Sequence, residues 1–183
     1  DRAINSDNLE DYWDSLTNNE MMTIDQRISR LHSVIDSAKL EEDDSWLSPE
    51  IDGTFNFDSP TEIMQALENS GSPWAMETLE VLQKRSPLML HVSLRQIRLG
   101  RHMSLADELR LERTLVQHCF YTHHLERTGV KTETVEGIRA LVIDKDHNPA
   151  WNPTRIQDVT SEMVDPFFVS PWAETDHPLA DLN

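Results

Sequence analysis

Apolar residues recur at helical spacing through most of the chain. The stripe of Ile24, Ile28, Leu31 and Ile35 is typical of one amphipathic helix face. No segment alternates apolar and polar positions convincingly, as a half-buried strand would. We therefore predict an all-α fold of about seven helices, over 6–16, 23–39, 60–69, 73–84, 87–99, 104–127 and 132–143.

Serine-proline pairs mark three of these helix starts. A serine side chain can accept a hydrogen bond from a free N–H of the first turn, and proline suits the first helical position. The pairs are Ser59-Pro60, Ser72-Pro73 and Ser86-Pro87. Ser104 is predicted to cap the longest helix. Its buried stripe should consist of Leu105, Leu109, Val116, Cys119 and Phe120.

Composition divides the chain into three parts. Residues 1–58 read as a helical segment plus an acidic linker, and 36–58 is weakly periodic, so we expect mostly a loop there. Residues 59–169 carry the strongest helical pattern and form the predicted helical domain. Residues 170–183 read as an irregular tail, which we expect to be disordered.

The charge and the start of the chain limit which classes of function and partner we expect. The 183 residues hold 16 basic and 33 acidic side chains, a net charge of −17. This charge argues against nucleic acids and anionic membranes as partners, since both demand basic groups. The chain begins at Asp1 without a methionine or a visible signal sequence, which suggests a fragment or processed product. The acidic composition favours a bacterial cytoplasm, with the mitochondrial matrix as the alternative.

Few residues carry an obvious chemical signal. The five glycines lack the spacing of a phosphate-binding loop. Cys119 and His123 would share a helix face, as a zinc site or a nucleophile pair would require. No second cluster supplies further ligands, and Cys119 lies on the predicted apolar stripe. Core packing is the favoured interpretation, and we predict no metal site.

Lys145 follows the last predicted helix and lies between two aspartates. One interpretation is a solvated lysine with weak local ion pairs. The other is a contact to a phosphate group, with Asn148 and Trp151 beside an adenine-like ring. Spacing alone leaves both open.

Several motifs together resemble a known pattern. Their order and spacing are similar to the C-terminal portion of the 3-hydroxyisobutyryl-CoA hydrolase-like branch of the crotonase (enoyl-CoA hydratase/isomerase) superfamily, most continuously over 59–168. The motifs are Ser86-Pro87, Ser93-Leu94-Arg95-Gln96, Leu109-Arg110-Leu111-Glu112-Arg113, Glu136-Gly137-Ile138-Arg139-Ala140, Ile143-Asp144-Lys145-Asp146 and Pro149-Ala150-Trp151.

The resemblance implies a thioesterase that cleaves 3-hydroxyacyl thioesters of coenzyme A in valine degradation. The family uses backbone N–H groups of an α/β core to polarise the thioester carbonyl, and a core carboxylate for acid-base chemistry. This chain shows neither a glycine pair nor a strand pattern that would supply them. We therefore expect a C-terminal region without the catalytic core, inactive alone, whose partners are that missing core and an acyl-CoA substrate. We assign no catalytic residue and no cofactor beyond this substrate.

The resemblance also implies roles for the turn. Lys145 becomes a candidate phosphate contact, with Asn148 and Trp151 on the adenine side. The family usually has an Asp-Phe pair where this chain has Glu133-Thr134. We further expect exposed apolar surface and homo-oligomers. The alternatives are a non-catalytic helical interaction module, or part of an enoyl-CoA hydratase or isomerase.

Overall fold

The structure is a computed structural model that describes residues 9–10, 13–14, 23–37 and 49–182. Its contacts divide the chain into two units, 1–48 and 49–183. In the first unit, helix α1 spans Ile24–Ser37. Thr23 and Gln26 bond reciprocally at its start, as in a capping box. Most of the predicted helix over 6–16, and residues 38–48 of the predicted linker, lie outside the described residues.

The second unit is built mainly of helices. The longer ones are α2 (Pro49–Phe55), α3 (Pro60–Ser70), α4 (Pro73–Gln83), α5 (Pro87–Gly100), α6 (Leu105–Phe120) and α7 (Glu133–Ile138). A π-helical turn, Arg139–Ile143, continues α7. Short 3₁₀ and α turns follow at Ile156–Asp158, Ser161–Val164 (α8), Asp165–Phe168 and Glu174–Asp176.

Local capping fixes where the helices start. Each of the four predicted capping serines accepts a hydrogen bond from the backbone N–H three residues further on, at 3.1–3.2 Å. Gly71 ends α3 with a left-handed φ of 63°. These helix starts are confirmed because capping depends on neighbours in sequence.

Two apolar clusters form the core of this unit. One lies between α3 and α4 and contains Ile63, Leu67, Ala75 and Leu79. The other joins α5 and α6 to α8 and the 3₁₀ turn after it. It contains Leu88, Val92, Leu115, Val164 and Phe167. Helix α5 is central to this second cluster, because its Leu88 and Val92 are 0% and 1% exposed.

The all-α prediction is wrong for the segment after α6. That helix was expected to reach residue 127 but ends at Phe120. Two strands follow, β1 (Tyr121–Thr122) and β2 (Arg127–Thr128), which pair antiparallel. The Thr122 hydroxyl donates to the His118 carbonyl at 2.8 Å, a local bond that competes with continuing the helix.

The buried face of α6 also differs from the predicted one. Leu105 is 72% exposed and Val116 is 52% exposed, whereas Leu115 is buried. Both sides of this helix carry apolar residues, so periodicity alone did not decide which side meets Phe167. The expected exposed apolar surface is present on the remaining side.

Two segments are more ordered than the sequence suggested. Helix α2 occupies part of the predicted acidic linker. Its sequence has the same serine-proline signal, Ser48-Pro49, which hydrophobic periodicity does not reveal. The tail is held along α6, since Arg110 Nε donates to the Leu179 carbonyl at 3.0 Å. None of the helices in the described ranges is both long enough and apolar enough to cross a membrane.

Candidate functional site

The turn that follows α7 and its π-helical continuation, residues 144–152, contains the three predicted binding residues. We call it the Arg139 turn, after the arginine of the π-helical segment that contacts it. The His147 N–H donates to the carbonyl of Ala140, in the π-helical segment, at 3.1 Å. This hydrogen bond folds the chain back towards the helix. Lys145 and His147 have left-handed φ values of 55° and 53°. Such values are uncommon for residues other than glycine, and they persist where surrounding contacts over-determine the backbone.

Arg139 supplies those contacts. Its Nε and Nη2 donate to the two Glu136 carboxylate oxygens at 2.9 and 2.8 Å. Its Nη1 donates to Asp144 at 2.7 Å and to Asp146 at 2.6 Å. Nη2 also donates to the Asn148 carbonyl at 3.1 Å. The five N–H groups of a guanidinium are thus all used.

This network sets the charge of the turn. Hydrogen bonds from Arg139 hold the pKa values of Glu136 and Asp146 below their usual range. The same bonds raise the pKa of Arg139. Glu136 and Asp146 therefore stay ionised at neutral pH, and the single charge of Arg139 offsets only part of the negative charge of the turn.

A buried carboxylate, Glu133, anchors the far end of the turn. It is 7% exposed and accepts hydrogen bonds from the Ser86 hydroxyl and, at 3.0 Å, from the Asn152 N–H. Arg127 Nη1 lies 3.7 Å from the same carboxylate and donates to the Asn152 carbonyl. Glu133 thus ties the start of α5 and strand β2 to the turn.

Sequence reasoning singled out Glu133 only as a departure from the family pattern. The available signal was an acidic residue directly after Thr132, in the first helical turn, where the helix dipole favours negative charge. That signal fits many solvated residues equally well. The partners of Glu133 lie 47 and 19 residues away in sequence, so no local pattern reveals its burial.

The three predicted binding residues have different surroundings. Lys145 is exposed, and within the described ranges its ammonium has neither an ion-pair nor a hydrogen-bond partner. Asn148 is exposed, and its backbone N–H donates to Asp146 at 2.9 Å. The structure therefore makes Asn148 part of the turn and leaves the Lys145 ammonium available.

Trp151 is partly buried and serves packing. Its indole N–H donates to the Lys84 carbonyl at 3.1 Å. Its ring covers Gly137, where a Cβ would lie 3.3 Å from Trp151 Cη2. The polar edge of the indole is thus occupied, and its predicted place beside an adenine stays a prediction.

The Cys119–His123 pair is not arranged for chemistry. Burial raises the pKa of the Cys119 thiol, which disfavours a thiolate nucleophile. The His123 ring stacks on Tyr121 with centroids 6.1 Å apart. Among the described residues, no group of three or more His, Cys, Asp or Glu side chains is positioned to hold a metal ion.

Comparison with known proteins assigns this chain to a family. Residues 1–168 match the family described as enoyl-CoA hydratase/isomerase. The chain belongs to the enoyl-CoA hydratase/isomerase family. Within that family it resembles 3-hydroxyisobutyryl-CoA hydrolases, so the resemblance noted from the motifs is confirmed.

The mitochondrial 3-hydroxyisobutyryl-CoA hydrolase of Gallus gallus is 40% identical over 64% of this chain and 28% of its own length. The mitochondrial protein of Homo sapiens is 34% identical over 73% of this chain and 33% of its own length. A probable 3-hydroxyisobutyryl-CoA hydrolase of Arabidopsis thaliana is 39% identical over 64% of this chain and 31% of its own. The chain thus spans about a third of the length of these relatives.

A solved structure shows the same fold. The carnitinyl-CoA dehydratase of Mycobacterium thermoresistibile superposes with a TM-score of 0.68 at 23% identity, over 98% of this chain and 46% of that one. The prediction of a helical C-terminal region without the catalytic core is therefore wrong. The family match covers residues 1–168 and so includes the segment before residue 59, where the most continuous resemblance was expected to begin.

Proposed function

We propose that this protein binds a coenzyme A thioester and that its reaction is hydrolysis of a 3-hydroxyacyl-CoA. The family match supports chemistry on acyl-CoA thioesters. The hydrolase names of relatives that are 33–40% identical support the choice of hydrolysis. These relatives do not assign a catalytic residue to this chain, so the proposal concerns binding first.

The Lys145 ammonium is the observation that supports a binding role for the Arg139 turn. Both carboxylates beside it are bonded to Arg139, and the left-handed backbone is held by contacts that do not involve the lysine side chain. A phosphate of the nucleotide part of coenzyme A would gain a charge-assisted hydrogen bond there without displacing another partner.

Calorimetric titration with coenzyme A tests this role. Lys145→Ala should weaken binding by about tenfold, the loss of one charge-assisted contact. Lys131→Ala removes another exposed lysine of the same unit and should leave affinity unchanged. Titration with 3′-dephospho-coenzyme A locates the contact, because the effect of Lys145→Ala disappears if the 3′-phosphate is the group bound. Equal affinity of wild type and Lys145→Ala for coenzyme A would refute the role.

The second candidate is hydration or isomerisation of an enoyl-CoA, which the family description favours. Hydrolysis releases a free thiol, whereas hydration consumes the conjugated double bond without releasing one. Incubation with 3-hydroxyisobutyryl-CoA and, separately, with an enoyl-CoA distinguishes the two reactions. The prediction that the chain alone is inactive is not confirmed by the comparisons, and the same assay tests it.

A further inference from the structure

Lys145 lies between two aspartates in the sequence, yet its ammonium pairs with neither of them. Arg139 Nη1 instead binds both, at 2.7 Å to Asp144 and at 2.6 Å to Asp146. The Lys145 side chain is exposed and, within the described ranges, has neither an ion-pair nor a hydrogen-bond partner. The carboxylates nearest to this lysine in sequence are therefore paired with a different cation.

The backbone at Lys145 depends on the same arginine. The two carboxylates that flank Lys145 converge on a single nitrogen of Arg139, so the residue between them is held in a short closed loop. Lys145 adopts a left-handed φ of 55° within this loop. That conformation is uncommon for a residue with a side chain and persists where surrounding contacts over-determine it. Arg139 thus fixes the point from which the lysine side chain leaves the backbone.

Arg139 can hold both aspartates because its own guanidinium is fixed from the other side. Its Nε and Nη2 donate to the two carboxylate oxygens of Glu136 at 2.9 and 2.8 Å. A bidentate pair of this kind sets the plane of the guanidinium. Glu136 also accepts a hydrogen bond from the Ala150 N–H at 2.7 Å. A lysine in place of Arg139 could not make all these bonds at once, because an ammonium lacks the planar fork.

Without Arg139, the aspartates would compete with a phosphate for the Lys145 ammonium. An exposed aspartate is ionised at neutral pH even without a cationic partner. A lysine ammonium on its flexible stem can reach a carboxylate of a neighbouring residue. Carboxylates outnumber cationic groups in this turn with or without the arginine, so the positions of the charges decide whether an anion can approach.

We propose that Arg139 is a positioning residue, which holds Asp144 and Asp146 away from Lys145 so that the ammonium can contact a phosphate of coenzyme A. The proposal rests on the function proposed above, because the affinity for coenzyme A reports on Lys145 only if Lys145 binds the phosphate. It adds to the determinants of that affinity a residue that does not itself touch the ligand.

Calorimetric titration of Arg139→Gln with coenzyme A tests the proposal. This variant should bind about tenfold more weakly than wild type, as Lys145→Ala should, because the freed aspartates pair with the ammonium. Adding Arg139→Gln to Lys145→Ala should weaken binding little further, since both changes remove the same contact. If Lys145→Ala binds weakly but a folded Arg139→Gln keeps wild-type affinity, the positioning role is overturned and the proposed function stands.

Neutralising the aspartates separates positioning from general support of the fold. In Arg139→Gln, the further changes Asp144→Asn and Asp146→Asn remove the competing charges and should restore affinity to within about twofold of wild type. A merely structural arginine gives no such recovery, because its bonds remain absent. The same three changes combined with Lys145→Ala should restore nothing, since a recovery there would reflect only a general gain in positive charge. Failure of the rescue, or equal gains with and without Lys145, would refute the positioning role.

A measurement without ligand keeps this test independent of coenzyme A. The NMR signals of the Lys145 ε-methylene should move in Arg139→Gln, as the ammonium pairs with the aspartates, and return when Asp144 and Asp146 are changed to asparagine. Arg139→Lys keeps the charge with fewer directed bonds and should give a smaller shift, so it serves if Arg139→Gln does not fold.

Arg155→Gln is the matched control, because it also releases an aspartate, Asp158, from an exposed pair. It should change neither the affinity for coenzyme A nor the Lys145 signals. Unmoved Lys145 signals in Arg139→Gln and Arg139→Lys would refute the positioning role alone. Equal affinities of wild type and Lys145→Ala would refute the phosphate contact, and with it both proposals.

Discussion

The Arg139 turn and the cavity that His91, Arg95 and Arg98 of α5 line, which we call the α5 cavity, both contain arginine, but they differ in how completely their polar groups are paired. In the turn, all donors of Arg139 are used, and buried Glu133 has three partners. Two buried atoms of residues that line the cavity, His91 Nε2 and Arg98 Nε, have no hydrogen-bond partner. The polar groups of the turn are thus fully paired, whereas those beside the cavity are not.

This difference in pairing indicates which substitutions should lower the free energy of unfolding most. A saturated network can hold a strained backbone, such as the left-handed Lys145, because many contacts fix it at once. Buried polar atoms without partners have instead lost their hydrogen bonds to water without gaining others. Substitutions that remove a member of the hydrogen-bond network of the turn should therefore lower stability more than substitutions at the unpartnered atoms of the cavity.

Glu133→Ala should produce the largest effect. It leaves the Ser86 hydroxyl and the Asn152 N–H without their acceptor and removes the carboxylate that faces Arg127. Breaking a buried ion pair from one side costs about 3–5 kcal/mol, and we expect the lower end because Arg127 keeps the Asn152 carbonyl. Urea unfolding measures the loss in the free energy of unfolding.

The matched control for this substitution is Glu77→Ala, on the exposed surface of α4. Surface substitutions usually change stability by less than about 0.5 kcal/mol. A loss for Glu133→Ala no greater than that of Glu77→Ala would show that the carboxylate does not support the turn.

Trp151→Phe should have a smaller effect on the same region. It keeps an aromatic ring over Gly137 but removes the indole N–H that donates to the Lys84 carbonyl. One lost hydrogen bond corresponds to about 1 kcal/mol, measurable by urea unfolding. Stability equal to wild type would mean that water replaces the indole at that carbonyl.

The sequence predicted more about the Arg139 turn than about the α5 cavity. Helix starts were predictable because Ser59, Ser72 and Ser86 act on N–H groups three residues away. The segment around Lys145 was singled out by its charged residues and by the family resemblance, and its binding role stays a prediction. The roles of Arg139 and Glu133 were not predictable, because their effects depend on a strained turn and on partners distant in sequence. The α5 cavity was hidden for the same reason: its far wall lies 60 or more residues further along the chain.

Acid should reduce the contribution of the Arg139 turn to the free energy of unfolding, because its carboxylates become protonated. The pKa values of Glu136 and Asp146 are lowered by Arg139, so the unfolded chain takes up protons that the folded chain does not. Their stabilisation is present above the unfolded pKa values of about 4 and is lost as pH falls through the folded ones. In Arg139→Gln, the free energy of unfolding should fall less between pH 6 and pH 3 than in wild type, as measured by urea unfolding. An equal fall in the two proteins would mean that other carboxylates cause the loss of stability in acid.

His91 should act at higher pH and more weakly, which separates the cavity from the turn. Its pKa is lowered by burial, so below the ordinary value of 6.5 the unfolded chain binds a proton that the folded chain resists. Its contribution to the free energy of unfolding is present above pH 6.5 and declines as pH falls towards the folded pKa.

The difference in the free energy of unfolding between wild type and His91→Asn separates the effect of His91 from that of the other histidines, because only one side chain changes. Wild type should lose more stability than His91→Asn between about pH 7 and pH 5. Parallel pH profiles for the two proteins would mean that the folded state protonates His91 as readily as the unfolded chain does.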